Sequence, residues 1–193
     1  MGGAGSGLPL ISPPMDIRDE RDSDQEAVRD VQRRAFGGQG PLIVTIVDDL
    51  RARPGTTSLV AVDGDRVVGH VMFSAALLDA PRRLVDVQVL SPLGVSPEHQ
   101  RTGVGSALIR HGLAVLAGRG VPAVFVEGDP RYYGGSGFVA GGDVGFRKPS
   151  LRIPDAAFQV VRLPAHEPWM TGTLVYPSLW WEHDAVGLRD PHA

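Results

Sequence analysis

Apolar and polar positions fall into regular periods only from Met15 onward; residues 1–14, with four Gly and three Pro, show none. Residues 15–18 predict a short first strand. Ser23 followed by Glu26 matches a capping box, and Ala27, Val28, Val31 and Ala35 then share one face of a first helix that Gly37-Gly38 ends. Pro41 stands at a first helical position ahead of Ile43, Ile46, Val47 and Leu50, a stripe that predicts a second helix ending before Pro54-Gly55. Residues 59–62 and 67–77 around Asp63-Gly64-Asp65 read as a hairpin, and Pro81-Arg82-Arg83 as a solvated turn. Over 84–90, Val85, Val87 and Val89 alternate with Asp86 and Gln88, as in a half-buried antiparallel strand. Pro92 cannot donate to a ladder, so a bulge or an edge is expected there before Leu93-Gly94-Val95 carries the strand on.

Residues 103–119 form a helical stretch with Leu108, His111 and Val115 on one side and Ile109, Gly112 and Leu116 beside it, and His111 is expected in the core. Gly120 ends it. The apolar run 121–126 is then a buried strand reached by a crossover, which makes the centre of the chain a βαβ unit. A turn or short helix follows at 130–134, then a Gly-rich loop and strand-like pieces at 158–163 and 171–176. No repeat or linker divides the chain, so one α/β domain over 15–193 is expected, strand-rich beyond about 140 and preceded by a disordered extension over 1–14.

Composition narrows the chemistry. The 193 residues include no cysteine, which removes thiolate nucleophiles, disulfides and cysteine–metal sites. Twenty-two acids against 19 bases give a net charge of -3, the wrong balance for a nucleic-acid partner. No run nears the ~18 apolar residues of a membrane span, and no charged segment leads into an apolar one, so a soluble cytoplasmic protein is the expectation. Met1-Gly2 formally fits a myristoylation pattern, but the Gly/Ser-rich start reads as an extension.

Candidate chemistry begins at Gln100-Arg101-Thr102-Gly103-Val104-Gly105-Ser106, between a strand and a helix. Glycines there let backbone N–H groups approach a pyrophosphate at a helix N-terminus, and Arg101 can pair with it. By itself the loop fits a tight turn equally well. It is not a Walker loop, since no Lys-Ser/Thr follows, and it lacks the third glycine of a dinucleotide fingerprint. The second segment is Asp129-Pro130-Arg131-Tyr132-Tyr133-Gly134-Gly135-Ser136-Gly137-Phe138.

The interrupted strand ending Leu93-Gly94-Val95, the Gln-Arg-x-Gly-x-Gly loop, the helix, the buried strand and Tyr133-x-x-x-Gly137-Phe138 together resemble the GCN5-related N-acetyltransferase (GNAT) superfamily. The resemblance runs over about 15–140, and the Gly-Asp-Pro-x-Tyr-Tyr-Gly run is similar to a bacterial branch of it. It implies a mixed, mostly antiparallel twisted sheet whose fourth and fifth strands splay into a cleft, and acetyl-CoA as cosubstrate, without a metal. It implies too that the Leu93, Gly94 and Val95 backbone holds the pantetheine arm, with the Val95 N–H polarising the thioester carbonyl. The amides of Arg101 to Ser106 would receive the pyrophosphate, and Tyr133 would protonate the departing thiolate. Where the superfamily often carries an Asn, this chain has Glu127-Gly128-Asp129-Pro130.

The general base is left open by the residues. Glu127 ranks first and Asp86 second; Asp129 is a further carboxylate, and His70 reads better as a satisfied core histidine. Trp169, Trp180, Trp181 and Tyr176 crowd the last 25 residues as core closure, a homodimer contact or an aromatic acceptor wall. The implied function is transfer of an acetyl group to a small-molecule or peptide primary amine through a ternary complex. The rival readings are an acyl-CoA-binding sensor of the same fold and a nucleotide-binding regulator.

Overall fold

A computed structural model describes residues 15–188, so the extension predicted over 1–14 lies outside the described residues. In chain order the elements are β1 (Asp16–Asp19), α1 (Gln25–Phe36), α2 (Gly40–Arg51), β2 (Thr57–Asp63), β3 (Arg66–Asp79), β4 (Leu84–Val95) and α3 (Val104–Gly118). There follow β5 (Ala123–Glu127), α4 (Pro130–Tyr133), β6 (Val139–Ala140), β7 (Phe146–Arg147), β8 (Phe158–Arg162), β9 (Gly172–Val175) and α5 (Ser178–Glu182).

One mixed sheet takes up these strands in the order β1-β2-β3-β4-β5-β8-β6, with β9 joining β3 and β7. Every pairing is antiparallel except β4 with β5 and β7 with β9. The α3 crossover makes β4 and β5 parallel, as the βαβ pattern requires. The late strands are part of the sheet rather than an appendage: β8 pairs with all five residues of β5.

Alternation along β4 assigns its two faces. Val85, Val87 and Val89 pack with Val28, Ile46, Val47 and Leu50 of α1 and α2, and with Phe125 and Phe158. Leu90 faces the other way, toward Leu108, Ile109 and Leu116 of α3 with Phe73 and Val124. Both layers exclude water, at about 25 cal/mol per Å² of apolar surface removed.

Two expectations are corrected. The turn before α1 is built by Asp24, not by Ser23 and Glu26: Arg21 N–H donates to the Asp24 carboxylate at 2.8 Å, and the Arg18 guanidinium of β1 grips it at 2.6 Å. This ion pair holds Asp24 below the usual carboxylate range, and Glu26 is left to pair with Arg29. His111 is exposed, because the buried side of α3 runs through Leu108, Ile109, Gly112 and Leu116.

Under the sheet lies a buried polar chain. Ser58 Oγ donates to Glu20, so it accepts from His70 Nε2–H at 2.8 Å, and Gln32 Nε2 donates to Nδ1 at 2.6 Å. His70 is thus a neutral, satisfied core histidine, and although Glu20 lies 3.8 Å away, burial and then the Arg51 charge push its pKa down to about 3. The unfolded chain protonates the same imidazole near 6.5. Stability is therefore full above pH 6.5 and is lost as the pH falls toward 3, by about 1.4 kcal/mol per unit. Urea midpoints at pH 7 and pH 5 should differ accordingly; equal midpoints would contradict the buried neutral state.

Candidate functional site

The site is set by where β4 and β5 part. They pair only at Gln88 with Val124 and Val89 with Phe125, although β4 runs on to Val95 and β5 to Glu127. On the other edge of β4, Val71 faces Leu93 but Phe73 faces Leu90, so Ser91 and Pro92 stand opposite the single residue Met72. This is the bulge expected at a residue with no N–H, and it turns β4 away from β5. The peptide bond joining Ser91 to Pro92 is cis.

A cavity of about 610 Å³ opens at this divergence. Leu93 and Val95 form one wall, Tyr132 and Tyr133 another, and Gln100, Arg101, Gly103, Gly105 and Ser106 line its far end. Arg101 and Gly103 both have positive φ, 63° and 94°. Glycine adopts that geometry freely and arginine only under strain, a cost typical of ligand loops. The first amides of α3 have no intrahelical carbonyl to bind, so their N–H groups and the helix dipole favour an anion at this end.

Some expected residues point elsewhere. Gly94 is buried against Gln32, the Thr102 hydroxyl donates to the His99 carbonyl at 2.6 Å, and Val104 is buried among core side chains. Only backbone roles remain for these three. The Gln100 amide donates to the Val95 carbonyl at 3.0 Å and so braces the end of β4.

Tyr133 is half-buried, edge-on to Tyr132 at 5.0 Å and to Phe138 at 5.7 Å. A side chain at Gly128 would run into its ring, so glycine at the end of β5 lets the ring lie close over the strand. Burial raises the Tyr133 phenol well above its usual pKa, with a smaller push from Tyr132. The group stays protonated at any working pH. Tyr132, beside it in the same wall, sets its hydroxyl against Gly105.

Glu127 does not enter this cavity. It lines a second one of about 340 Å³ on the α1–α2 face, with Val89 and Ser91 of β4 and with Tyr176, Trp180 and Asp184 from the end of the described chain. The Tyr176 hydroxyl donates to Glu127 Oε1 at 2.7 Å and the Gly187 N–H to Oε2 at 3.0 Å. Burial raises the Glu127 pKa, and these two donors draw it partly back. Phe36 borders both cavities, and β4 lines both, through Leu93 and Val95 in the first and Val89 and Ser91 in the second.

Asp86 is brought to neither. It is exposed on β4 opposite Leu77, before the divergence, and its polar position marks only a solvated strand face. Asp129 caps α4 by accepting the Arg131 N–H at 2.9 Å and is also held by the Arg131 guanidinium, which lowers its pKa. The aromatics of the last 25 residues divide: Trp180 is buried in the second cavity's wall, Trp181 is exposed, and Trp169 lies beneath Arg82 and Arg83 at 5.2 and 5.3 Å. The turn expected to be merely solvated therefore stacks on an indole.

Sequence reasoning missed Phe36 and the α2 side chains of the second cavity. The available signal was the aromatic residue directly before Gly37-Gly38, where the chain breaks between two helices.

A profile of the acetyltransferase (GNAT) domain family matches residues 16–140. The uncharacterized N-acetyltransferase YjhQ of Escherichia coli K12 is 35% identical over 156 residues, covering 78% of this chain and 85% of that protein. The crystal structure of the E. coli GNAT family N-acetyltransferase YhbS in complex with CoA superposes with a TM-score of 0.80 at 27% identity, over 95% of this chain and 99% of that one. A GNAT family acetyltransferase from Brucella melitensis, crystallised with acetyl-CoA, gives 0.69 at 32% identity over 86% and 97%. Splayed strands, a helix N-terminus at the bottom of the cleft and this matched profile lead to one assignment: the chain belongs to the GNAT acetyltransferase family.

Proposed function

We propose that the protein transfers the acetyl group of acetyl-CoA to a primary amine by direct attack in a ternary complex. The observation that carries this is that two cavities flank β4 where it parts from β5 and share Phe36, one ending in a helix N-terminus and the other holding a half-buried carboxylate. Acetyl-CoA enters the first. Amides from Arg101 to Ser106 receive its pyrophosphate, the Leu93–Val95 backbone pairs with the pantetheine arm, and the thioester lies near Tyr133. The amine enters the second cavity and attacks across the gap.

As the amine nitrogen bonds to the carbonyl carbon, Glu127 accepts a proton from it; as the carbon–sulfur bond breaks, Tyr133 gives its phenolic proton to sulfur. The products are an N-acetyl amide and CoA thiol; Glu127 releases its proton to solvent, and solvent returns one to Tyr133. A carboxylate with a raised pKa is a stronger base than an exposed one. Tyr176 tunes it: Tyr176→Phe removes a donor to the carboxylate, so the acid limb of kcat moves to higher pH. A limb that stays in place contradicts this tuning.

Acetyl-CoA at about 100 times its Kd should add about 2.7 kcal/mol of stability, seen as a rise in Tm. Thiol release should require an added amine. Absence of the thermal shift would overturn the binding assignment; a shift with no amine-dependent thiol release would leave an acyl-CoA sensor.

A further inference from the structure

We infer that the acceptor is a compact apolar primary monoamine, an alkylamine or arylalkylamine carrying no carboxylate, phosphate or second ammonium group. This rests on the acetyltransfer reading above and on three properties of the second cavity.

The first is size. At about 30 Å³ per water-sized group, 340 Å³ admits roughly eleven non-hydrogen atoms, which suits a phenylethylamine or a hexylamine. The second is the wall. Phe36, Leu42, Ile43, Ile46, Val89 and Trp180 surround the space, so each methylene of the acceptor that leaves water improves binding about fourfold.

The third is charge. Among the described residues no Arg, Lys or His side chain lines the cavity, while Glu127 and Asp184 both do. An amino-acid carboxylate would be desolvated beside Glu127, and the Arg152 guanidinium, whose charge reaches Glu127, is already engaged by Asp184. A second ammonium would find only Asp184, whose carboxylate the Arg152 guanidinium already engages at 3.0 Å. One amino group, giving its proton to Glu127 as it attacks, is the polar function this surface accommodates.

The test uses the full chain with saturating acetyl-CoA and compares kcat/KM for butylamine, hexylamine, 2-phenylethylamine, phenylalanine, putrescine and glucosamine. Thermal shifts of the CoA-bound protein by the same compounds give a readout that needs no chemistry. Hexylamine should exceed butylamine by at least tenfold, and 2-phenylethylamine should exceed phenylalanine by at least 100-fold. Leu42 is 42% exposed on α2, so Leu42→Asp should fold normally while narrowing the gap between hexylamine and putrescine. Putrescine, phenylalanine or glucosamine matching the apolar amines would overturn the inference, as would no selective shift or turnover with any of them. Apolar amines that shift the CoA complex without being acetylated would uphold the second cavity's preference for such amines and overturn acetyl transfer.

Discussion

Tyr133→Phe should lower kcat about 10²- to 10⁴-fold and leave the affinity for acetyl-CoA within a few-fold. Phenylalanine keeps the ring that packs against Gly128, Tyr132 and Phe138, so the wall of the first cavity survives and only the hydroxyl is lost. Without that proton the sulfur must depart as an unprotonated thiolate. The phenol is suited to donate because burial keeps it protonated. Its neighbour provides the contrast. The Tyr132 hydroxyl lies against Gly105 at the start of α3, so Tyr132→Phe should change acetyl-CoA affinity more than turnover. Rates of thiol release with acetyl-CoA binding curves for both variants decide the matter, and the opposite ranking would remove Tyr133 from the proposed role.

Glu127→Gln should cost a comparable 10²- to 10⁴-fold in kcat and should also change the pH profile, which separates it from a packing defect. In the native enzyme kcat should fall in acid as Glu127 takes up a proton. Because burial raises its pKa, that fall should begin above the ordinary glutamate range. Glutamine has no such titration, so the variant's residual rate should lose this limb. It can still accept from Tyr176, and an unchanged Tm shift with acetyl-CoA would show that the first cavity is intact. Asp86→Asn, at an exposed position outside both cavities, should retain near-native activity. A native-like Glu127→Gln enzyme would require a base elsewhere.

The first cavity was legible in the sequence because its parts follow one another: a strand interrupted at Pro92, a Gly-rich turn, an amphipathic helix and the Tyr133 segment span 84–138. Local rules cover each part, since proline withholds a donor and glycine permits the turn. The second cavity was not legible. Phe36 and α2, β4, Glu127 and the 176–188 segment are far apart in the chain and converge only because β9 pairs with the far end of β3. No periodicity encodes that register. The same limit explains the two base candidates: Asp86 and Glu127 both read as polar residues on strands, and only the point of divergence separates them. His111 failed for a local reason, lying about 100° around α3 from the centre of the buried side. The capping box at Ser23 matched its pattern, yet the Arg18 guanidinium of β1 gave Asp24 the stronger partner.

Isotope transfer tests acetyl transfer from acetyl-CoA to an amine most directly. The protein is mixed with acetyl-CoA labelled with ¹³C in the acetyl group and with 2-phenylethylamine, and product mass and free thiol are followed together. The account predicts one labelled N-acetyl product per thiol released, with no labelled protein accumulating and both rates falling together in Glu127→Gln. Thiol release without the labelled amide, or label retained on the protein, would contradict it.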